Sequence, residues 1–101
     1  MNYHPALAAA NTAIITGAAS GIGLAAAQRF AGFGMHVILA DLPGDSLDDA
    51  QAAVSGVPNS GDVVAVPTDV ADFEAVRSLR DLAYQRFRTV SVLMNNAGVG
   101  R

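Results

Sequence analysis

The stretch that decides the fold is Thr16-Gly17-Ala18-Ala19-Ser20-Gly21-Ile22-Gly23. An apolar run, Thr12 to Thr16, leads into it and fits a strand buried on both faces of a sheet. A helical pattern then runs from Gly21 to Phe33, and Gly34 lies where a helix stop is expected. The residues that predict the apolar face of this helix are Ile22, Leu24, Ala25, Phe30 and Phe33. The glycines therefore lie in a turn that joins a buried strand to a helix.

This turn has two interpretations. Glycines allow a tight turn and let a pyrophosphate approach the backbone without meeting a Cβ atom. The unpaired N–H groups and the positive dipole end of the helix start favour an anion at the same place. The alternative is a tight strand-to-helix turn that binds no ligand. The position of the glycines, directly after a strand and at the opening of a helix, favours the phosphate interpretation.

Strand and helix patterns alternate along the rest of the chain. Further strands are predicted at His36–Ala40, Val63–Val66 and Val90–Met94. A second helix is expected to open with a capping box at Ser46–Asp49 and to end near Val54. A third should be capped by Asp72 and end at Phe87. Its expected apolar face consists of Phe73, Val76, Leu79, Ala83 and Phe87. The βαβαβαβ order predicts an α/β fold with a parallel sheet and right-handed crossovers.

Composition excludes several classes of protein. Of 101 residues, 51% are hydrophobic and 15% are charged, which argues against disorder. No uninterrupted apolar stretch approaches the roughly 18 residues of a membrane span, and no basic segment leads into an apolar core as in a secretory signal. The net charge of −3 offers no basic face for nucleic acid or anionic lipid. We therefore expect a cytoplasmic protein with neither nucleic-acid nor membrane partners.

Metal and nucleophile chemistry has little support. The chain has no cysteine, which excludes disulfides, thiolate metal sites and cysteine nucleophiles. His4 lies in the leader and His36 starts a strand, and neither has a carboxylate or a second histidine at ligand spacing. Both histidines are expected to be structural. The arginines between Arg77 and Arg88 are expected to form a solvated stripe on the third helix.

At four places the chain resembles the short-chain dehydrogenases/reductases. Thr16 to Gly23 matches the Thr-Gly-x-x-x-Gly-x-Gly fingerprint of that family. Asp41 follows the second strand, eighteen positions past Gly23, close to the roughly 20 expected of a ribose-binding acid. Asp69-Val70 follows the third strand, and Asn95-Asn96-Ala97-Gly98 follows the fourth. The resemblance covers Thr12 to Gly98 and implies a Rossmann-type, doubly wound sheet in the order 3-2-1-4, truncated after the fourth strand.

The resemblance also implies a set of cofactor-binding residues. Asp69 would lie near the adenine amino group and Val70 near the ring, although Asp69 could equally be a solvated turn residue or a cap. Asn95 is expected to hold the sheet more than to bind cofactor. The implied cofactor-binding residues are Gly17, Ser20, Gly21, Ile22, Gly23, Asp41, Leu42, Asp69, Val70, Asn96, Ala97 and Gly98.

Asp41 favours NAD over NADP. Its carboxylate can accept hydrogen bonds from the ribose hydroxyls, worth about 1.5–3 kcal/mol to a charged group. A 2′-phosphate about 4 Å away would instead be repelled by about 4 kcal/mol per unit charge at an effective dielectric of 20. NADP-preferring relatives offset this repulsion with a basic residue in the glycine loop or after the second strand. Ser20 and Leu42 occupy those places here.

The residues that perform the chemistry in this family are not found. Its active site uses a Ser, a Tyr paired with a Lys, and a further Asn, all expected after the point where this sequence ends. The sequence has no lysine, and Arg88 stands four places after Tyr84, so Tyr84 is not proposed as catalytic. We expect residues 1–101 to be a partial NAD-binding domain with a leader at 1–11, and to lack the catalytic half.

Three hypotheses about function follow. The first is the N-terminal part of an NAD-dependent oxidoreductase that acts on an alcohol or ketone, whose complete relatives are homo-oligomeric. The second is a non-catalytic NAD-binding module, and the third is a remnant that binds nothing. The discriminating feature is whether the coding sequence continues to a Ser and a Tyr-x-x-x-Lys. Structurally, the fourth strand should be an open edge, with one sheet face covered only by the third helix.

Overall fold

The computed structural model describes residues 11–19, 21–87 and 90–95. Four strands and three helices alternate along these residues. Their bounds are β1 Thr12–Thr16, α1 Gly21–Gly32, β2 His36–Asp41, α2 Asp45–Ser55, β3 Val63–Pro67, α3 Phe73–Phe87 and β4 Val92–Asn95. The strands form one parallel sheet in the order β3-β2-β1-β4. This is the Rossmann-type order that the sequence predicts.

Strand β1 is central, and all five of its residues are buried. Ile14 pairs with Ile38 of β2 on one side and with Leu93 of β4 on the other. A strand with neighbours on both edges and helices over its faces has no solvated side, so its apolar residues run without alternation. The prediction of a strand buried on both faces is confirmed.

Helices α1 and α2 cover one face of the sheet. Ile15, Val37 and Leu39 point into this core from the strands, and α2 adds Leu47 and Val54. The buried residues of α1 are Gly23, Ala27 and Ala31, spaced four apart. Such a small-residue stripe lets the helix lie close to the sheet. The face predicted for α1 is therefore partly wrong, because Ile22 is 70% exposed and Ala25 is also exposed.

Helix α3 lies on the opposite face. Leu79 and Ala83 are buried against Ile14 and Ile38, with Phe87 partly buried beside them. The predicted cap is confirmed, since Oδ1 of Asp72 accepts from the amides of Glu74 at 3.0 Å and Ala75 at 3.4 Å. Phe73 was expected on the apolar face but is 74% exposed. As the first residue of the helix, it precedes the part that packs on the sheet.

Beside α3 the sheet is open to solvent, as expected from the sequence. Leu93, which pairs with Ile14, is 63% exposed, and Tyr84 of α3 is 50% exposed. We call this depression the open groove. It is lined by Ile14, Thr16, Val76, Leu79, Arg80, Tyr84, Val90, Ser91 and Leu93.

Several element ends differ from the predictions. The capping box at Ser46 is wrong, because α2 begins at Asp45 and its N-cap residue Gly44 makes no side-chain cap bond. The amides of Leu47 and Asp48 donate instead to the Gly44 carbonyl, at 3.2 and 3.3 Å. Gly44 has a φ of 147°, a conformation that favours glycine, and the N-cap lies two residues before the predicted Ser46. In addition, α1 ends at Gly32, one residue before the predicted end, and β2 extends one residue further than predicted, to Asp41. Strand β4 begins at Val92, two residues later than predicted.

Among the described residues, no helix combines the length and the apolar character needed to cross a membrane.

Candidate cofactor-binding site

The candidate site lies where the carboxyl ends of the parallel strands meet. The chain leaves β1 toward β2 and β3 on one side, whereas β4 lies on the other side of β1. Open α/β sheets bind ligands at such a switch in strand order, outside the carboxyl ends of the strands. The loops that follow β1, β2 and β3 therefore build this edge.

The glycine loop between β1 and α1 has a backbone that suits an anion. Gly17 and Gly21 have φ values of 65° and 61°, in the left-handed region that side chains disfavour. A Cβ atom added at Gly21 would find no heavy atom within 4 Å, so protein packing is not what requires glycine there. The space is open at the start of α1, where unpaired amides favour a phosphate. Gly23 is buried against the sheet, Ile22 is exposed, and Ser20 lies outside the described residues.

Asp41, the last residue of β2, contacts the glycine loop. Its Oδ2 atom accepts from the Ala19 amide at 2.9 Å, and its Oδ1 atom accepts from the Leu42 amide at 2.8 Å. The Ala18 amide donates to the Ala40 carbonyl at 3.3 Å, so two consecutive loop amides bind the end of β2. The carboxylate is thereby fixed at the edge where the sequence places the ribose-binding acid. Leu42 beside it is 59% exposed.

The loop after β3 joins the same edge through Thr68. Its amide donates to the Asp41 carbonyl at 2.7 Å, and its hydroxyl donates to the Val66 carbonyl at 2.9 Å. Asp69 is exposed, and its Oδ1 accepts from the Ala71 amide at 2.9 Å. This bond supports the turn interpretation of Asp69 and leaves its second oxygen for other donors. Val70 is partly buried in this turn.

A side-chain bond connects β1 to β4 at the same edge. The Thr16 hydroxyl donates to Oδ1 of Asn95 at 2.9 Å and lies 3.4 Å from the Met94 carbonyl oxygen. Thr16 is 5% exposed whereas Asn95 is exposed, so only the hydroxyl side of this contact is shielded from water. This bond supports the structural role predicted for Asn95. Asn96, Ala97 and Gly98 lie outside the described residues.

The remaining candidates lie elsewhere. His36, at the amino end of β2, accepts at Nδ1 from the Asp62 amide at 3.0 Å. Its ring stacks on Phe87 with centroids 4.5 Å apart, which agrees with the structural role predicted for it. Tyr84 lines the open groove. The described part of the chain contains no group of His, Asp or Glu residues able to hold a metal ion.

Sequence reasoning missed two backbone groups at the carboxyl end of the sheet. The Ala19 amide and the Thr68 amide both bond to Asp41, one to its carboxylate and one to its carbonyl. Neither has a side-chain signature, because the donor is the main chain and an alanine carries no polar group. The only available signal is position, since each residue follows a strand whose carboxyl end reaches this edge.

Comparison with known proteins agrees with this geometry. A family model described as short chain dehydrogenase matches residues 11–101. The chain is 43% identical over 89 residues to 1-deoxy-11-beta-hydroxypentalenate dehydrogenase of Streptomyces avermitilis, a match that covers 88% of this chain and 32% of that protein. The chain belongs to the short-chain dehydrogenase family.

Solved structures give the same result. L-sorbose reductase from Gluconobacter frateurii, complexed with NADPH and L-sorbose, superposes with a TM-score of 0.83 at 34% identity, over 94% of this chain and 36% of that one. NAD+-bound xylitol dehydrogenase gives a TM-score of 0.82 at 32% identity, over 89% and 34% of the two chains. The chain thus spans about a third of the length of these relatives. The family supports a nicotinamide dinucleotide as the cofactor, and these two neighbours hold different forms of it.

Proposed function

We propose that this chain is the dinucleotide-binding region of a dehydrogenase or reductase and that it prefers NAD to NADP. The observation that carries the proposal is the fixed carboxylate of Asp41 at the carboxyl end of β2. Two backbone amides hold it, at 2.9 and 2.8 Å. A carboxylate has about four acceptor positions, so room remains for two ribose hydroxyls.

Charge around Asp41 supports the preference. A 2′-phosphate beside this carboxylate would be repelled unless a cation lay between them. The positions that could supply a cation are occupied by Ala18, Ala19 and Leu42 in the described loops, and by Ser20 in the sequence. None of these residues is basic. An anionic 2′-phosphate would therefore meet a fixed negative charge without a compensating partner at these four positions.

The glycine loop fits the pyrophosphate in this proposal. Gly21 leaves the space beside the start of α1 free of side chain, and the amides there provide the donors. When bound, the cofactor supplies the carbon that gives or takes a hydride. Asp41 and the glycine loop bind and orient it. As the family resemblance implies, Asp69 and Val70 are proposed to lie at the adenine, and Asn96, Ala97 and Gly98 are proposed to line the cofactor as well.

Hydride transfer to an alcohol or carbonyl compound is proposed only for a protein that carries the family's Ser, Tyr and Lys. Peptide mapping of the native protein tests this point. Peptides that continue past Arg101 to a Ser and a Tyr-x-x-x-Lys would support the oxidoreductase, and substrate screening would follow. A native chain without them would instead be a non-catalytic NAD-binding module. The cytoplasmic location stays a prediction from the sequence.

Titration with NAD and NADP tests the cofactor preference. We expect the wild-type protein to bind NAD at least tenfold more tightly, and Asp41→Arg to weaken NAD and to reduce or reverse the ratio. An Asp45→Arg variant is the control, because it makes the same change in charge at an exposed residue of α2. If Asp41→Arg leaves the ratio of NAD to NADP affinity unchanged, the ribose assignment is contradicted. If Asp45→Arg shifts that ratio by the same amount, the effect of Asp41→Arg comes from net charge and not from contact with the ribose.

A further inference from the structure

We infer that Asp41 has a second task, as a positioning residue that holds the glycine loop in the conformation that receives the pyrophosphate. This inference rests on the proposed function and extends it from the ribose to the phosphates. It starts from the bond between the Asp41 carboxylate and the Ala19 amide, which joins the end of β2 to the middle of the loop between β1 and α1.

The loop needs such an anchor because of its composition. It begins at Gly17 and ends at Gly21, and both glycines adopt left-handed φ values that few other residues would share. Glycine restricts the backbone less than any other residue, so a loop bounded by two of them has many accessible conformations. Ala19 lies midway between them. A hydrogen bond from its amide to a charged acceptor is among the stronger fixed contacts that a loop can have.

Asp41 is itself held in place. Its carbonyl accepts from the Thr68 amide at 2.7 Å, which ties it to the loop after β3. Its other carboxylate oxygen accepts from its neighbour Leu42. The side chain therefore cannot swing toward solvent without breaking two bonds to backbone amides. Asp41 joins three loops of the candidate site. A substitution of its side chain therefore directly removes a contact of the glycine loop.

The two tasks of Asp41 are compatible and separable. Because two acceptor positions of the carboxylate remain, ribose hydroxyls can bind while the loop stays anchored. A ligand that lacks those hydroxyls still needs the loop but no longer needs the ribose contact. Substitution of Asp41 should therefore weaken pyrophosphate ligands with and without a hydroxylated ribose.

The test compares ADP with 2′,3′-dideoxy-ADP on the full native chain. In Asp41→Ala we expect both ligands to bind at least fivefold more weakly than in wild type. If Asp41 acted only through the ribose, the dideoxy ligand would bind Asp41→Ala as tightly as wild type, or more tightly, since one negative charge has gone. That result would overturn the inference. Asp45→Ala, which removes an exposed acid from the first turn of α2, serves as the matched control and should leave both affinities within twofold.

Hydrogen exchange of the ligand-free protein gives an independent reading. We expect the Ala19 amide to exchange at least tenfold faster in Asp41→Ala, while amides in the middle of α1 keep their wild-type rates. Asp41→Asn keeps the volume and one acceptor oxygen. If the alanine variant does not fold, we expect the Ala19 amide to exchange faster in Asp41→Asn than in wild type, by a smaller factor. Unchanged exchange at Ala19 in the folded variant would refute the positioning role. Failure of wild type to bind ADP would instead refute the proposed function, and the exchange result would still decide whether Asp41 holds the glycine loop.

Discussion

The two ends of the sheet differ in how they are closed, and two glycines show the difference. At the carboxyl end, a Cβ atom at Gly21 would meet no heavy atom within 4 Å. At the amino end, a Cβ atom at Gly61 would lie 2.8 Å from the Met35 carbonyl oxygen and 2.8 Å from Nδ1 of His36. Glycine is needed at Gly61 because protein fills the space, and at Gly21 because the backbone is left-handed beside a space that is empty. The requirement at Gly61 is one of packing, whereas the empty space beside Gly21 is suited to a ligand.

Hydrogen bonds show the same division. At the amino end, the Gly61 amide donates to the Met35 carbonyl at 3.1 Å, and the Asp62 amide donates to His36. These bonds join the segment before β3 to the start of β2, so protein groups bond to one another at the amino end of the sheet. At the carboxyl end, Asp41 and Asp69 keep carboxylate acceptor positions available beside the bonds that they make. One end of the sheet thus serves stability and the other is available for binding.

The largest effect is expected from Gly61→Ala. Because a backbone carbonyl 2.8 Å away cannot move aside without shifting β2, we expect the free energy of unfolding to fall by about 2–3 kcal/mol. Urea denaturation followed by circular dichroism measures the change. Gly56→Ala is the matched control, since its Cβ would lie 3.5 Å from the nearest atom at an ordinary φ of −79°. That control should be neutral or stabilise by up to about 1 kcal/mol. Equal losses in both variants would contradict the packing of the amino end.

Gly21→Ala should separate stability from binding. The left-handed conformation at Gly21 predicts a loss of about 1–2 kcal/mol in the free energy of unfolding. The new Cβ would also occupy the space beside the start of α1, so we expect ADP affinity to fall at least tenfold. Isothermal titration of the folded variant measures the second effect. A variant that is destabilised but binds ADP normally would show that this space is not where the phosphates lie.

The smallest effects come from one substitution made at both ends of β1. The Thr12 hydroxyl is buried and has no hydrogen-bond partner within the described residues, whereas the Thr16 hydroxyl donates to Asn95. Thr12→Val should raise the free energy of unfolding by about 1 kcal/mol, because it removes an unsatisfied polar group at nearly constant shape. Thr16→Val should lower it by about 1 kcal/mol, because it leaves the Asn95 carbonyl without that donor. Thermal unfolding of both variants would show opposite signs, and shifts of the same sign would contradict this assignment.

Much of the fold could be predicted from the sequence because its signals are local. Five consecutive buried residues in β1 and the glycine turn after it define a βα unit, and alternation of such units leaves few topologies. Helix ends were predicted less well. Ser46 looked like a cap, but the backbone conformation of Gly44 starts α2 earlier, and a φ value has no fixed signature in the sequence.

The sequence could nominate candidate residues for the site, but the bonds between the described ones could not be predicted from it. The bond from Ala19 to Asp41 spans 22 positions and that from Asp62 to His36 spans 26, so each depends on how the strands align. The donors are main-chain amides, which every residue except proline carries. The amphipathic face of α1 was misjudged for a related reason. Small residues pack closest to the sheet, whereas the predicted face included Ile22, which is exposed.

The open groove has a spectroscopic consequence. The sequence has no tryptophan and two tyrosines, and Tyr84 is the tyrosine among the described residues. It lines the groove with half of its surface exposed. A quencher dissolved in the water of the groove can therefore reach Tyr84 and lower its ultraviolet emission, without any label. A segment or partner that covers Leu93 would shield Tyr84 at the same time, so tyrosine fluorescence can follow the covering of this face during folding or assembly.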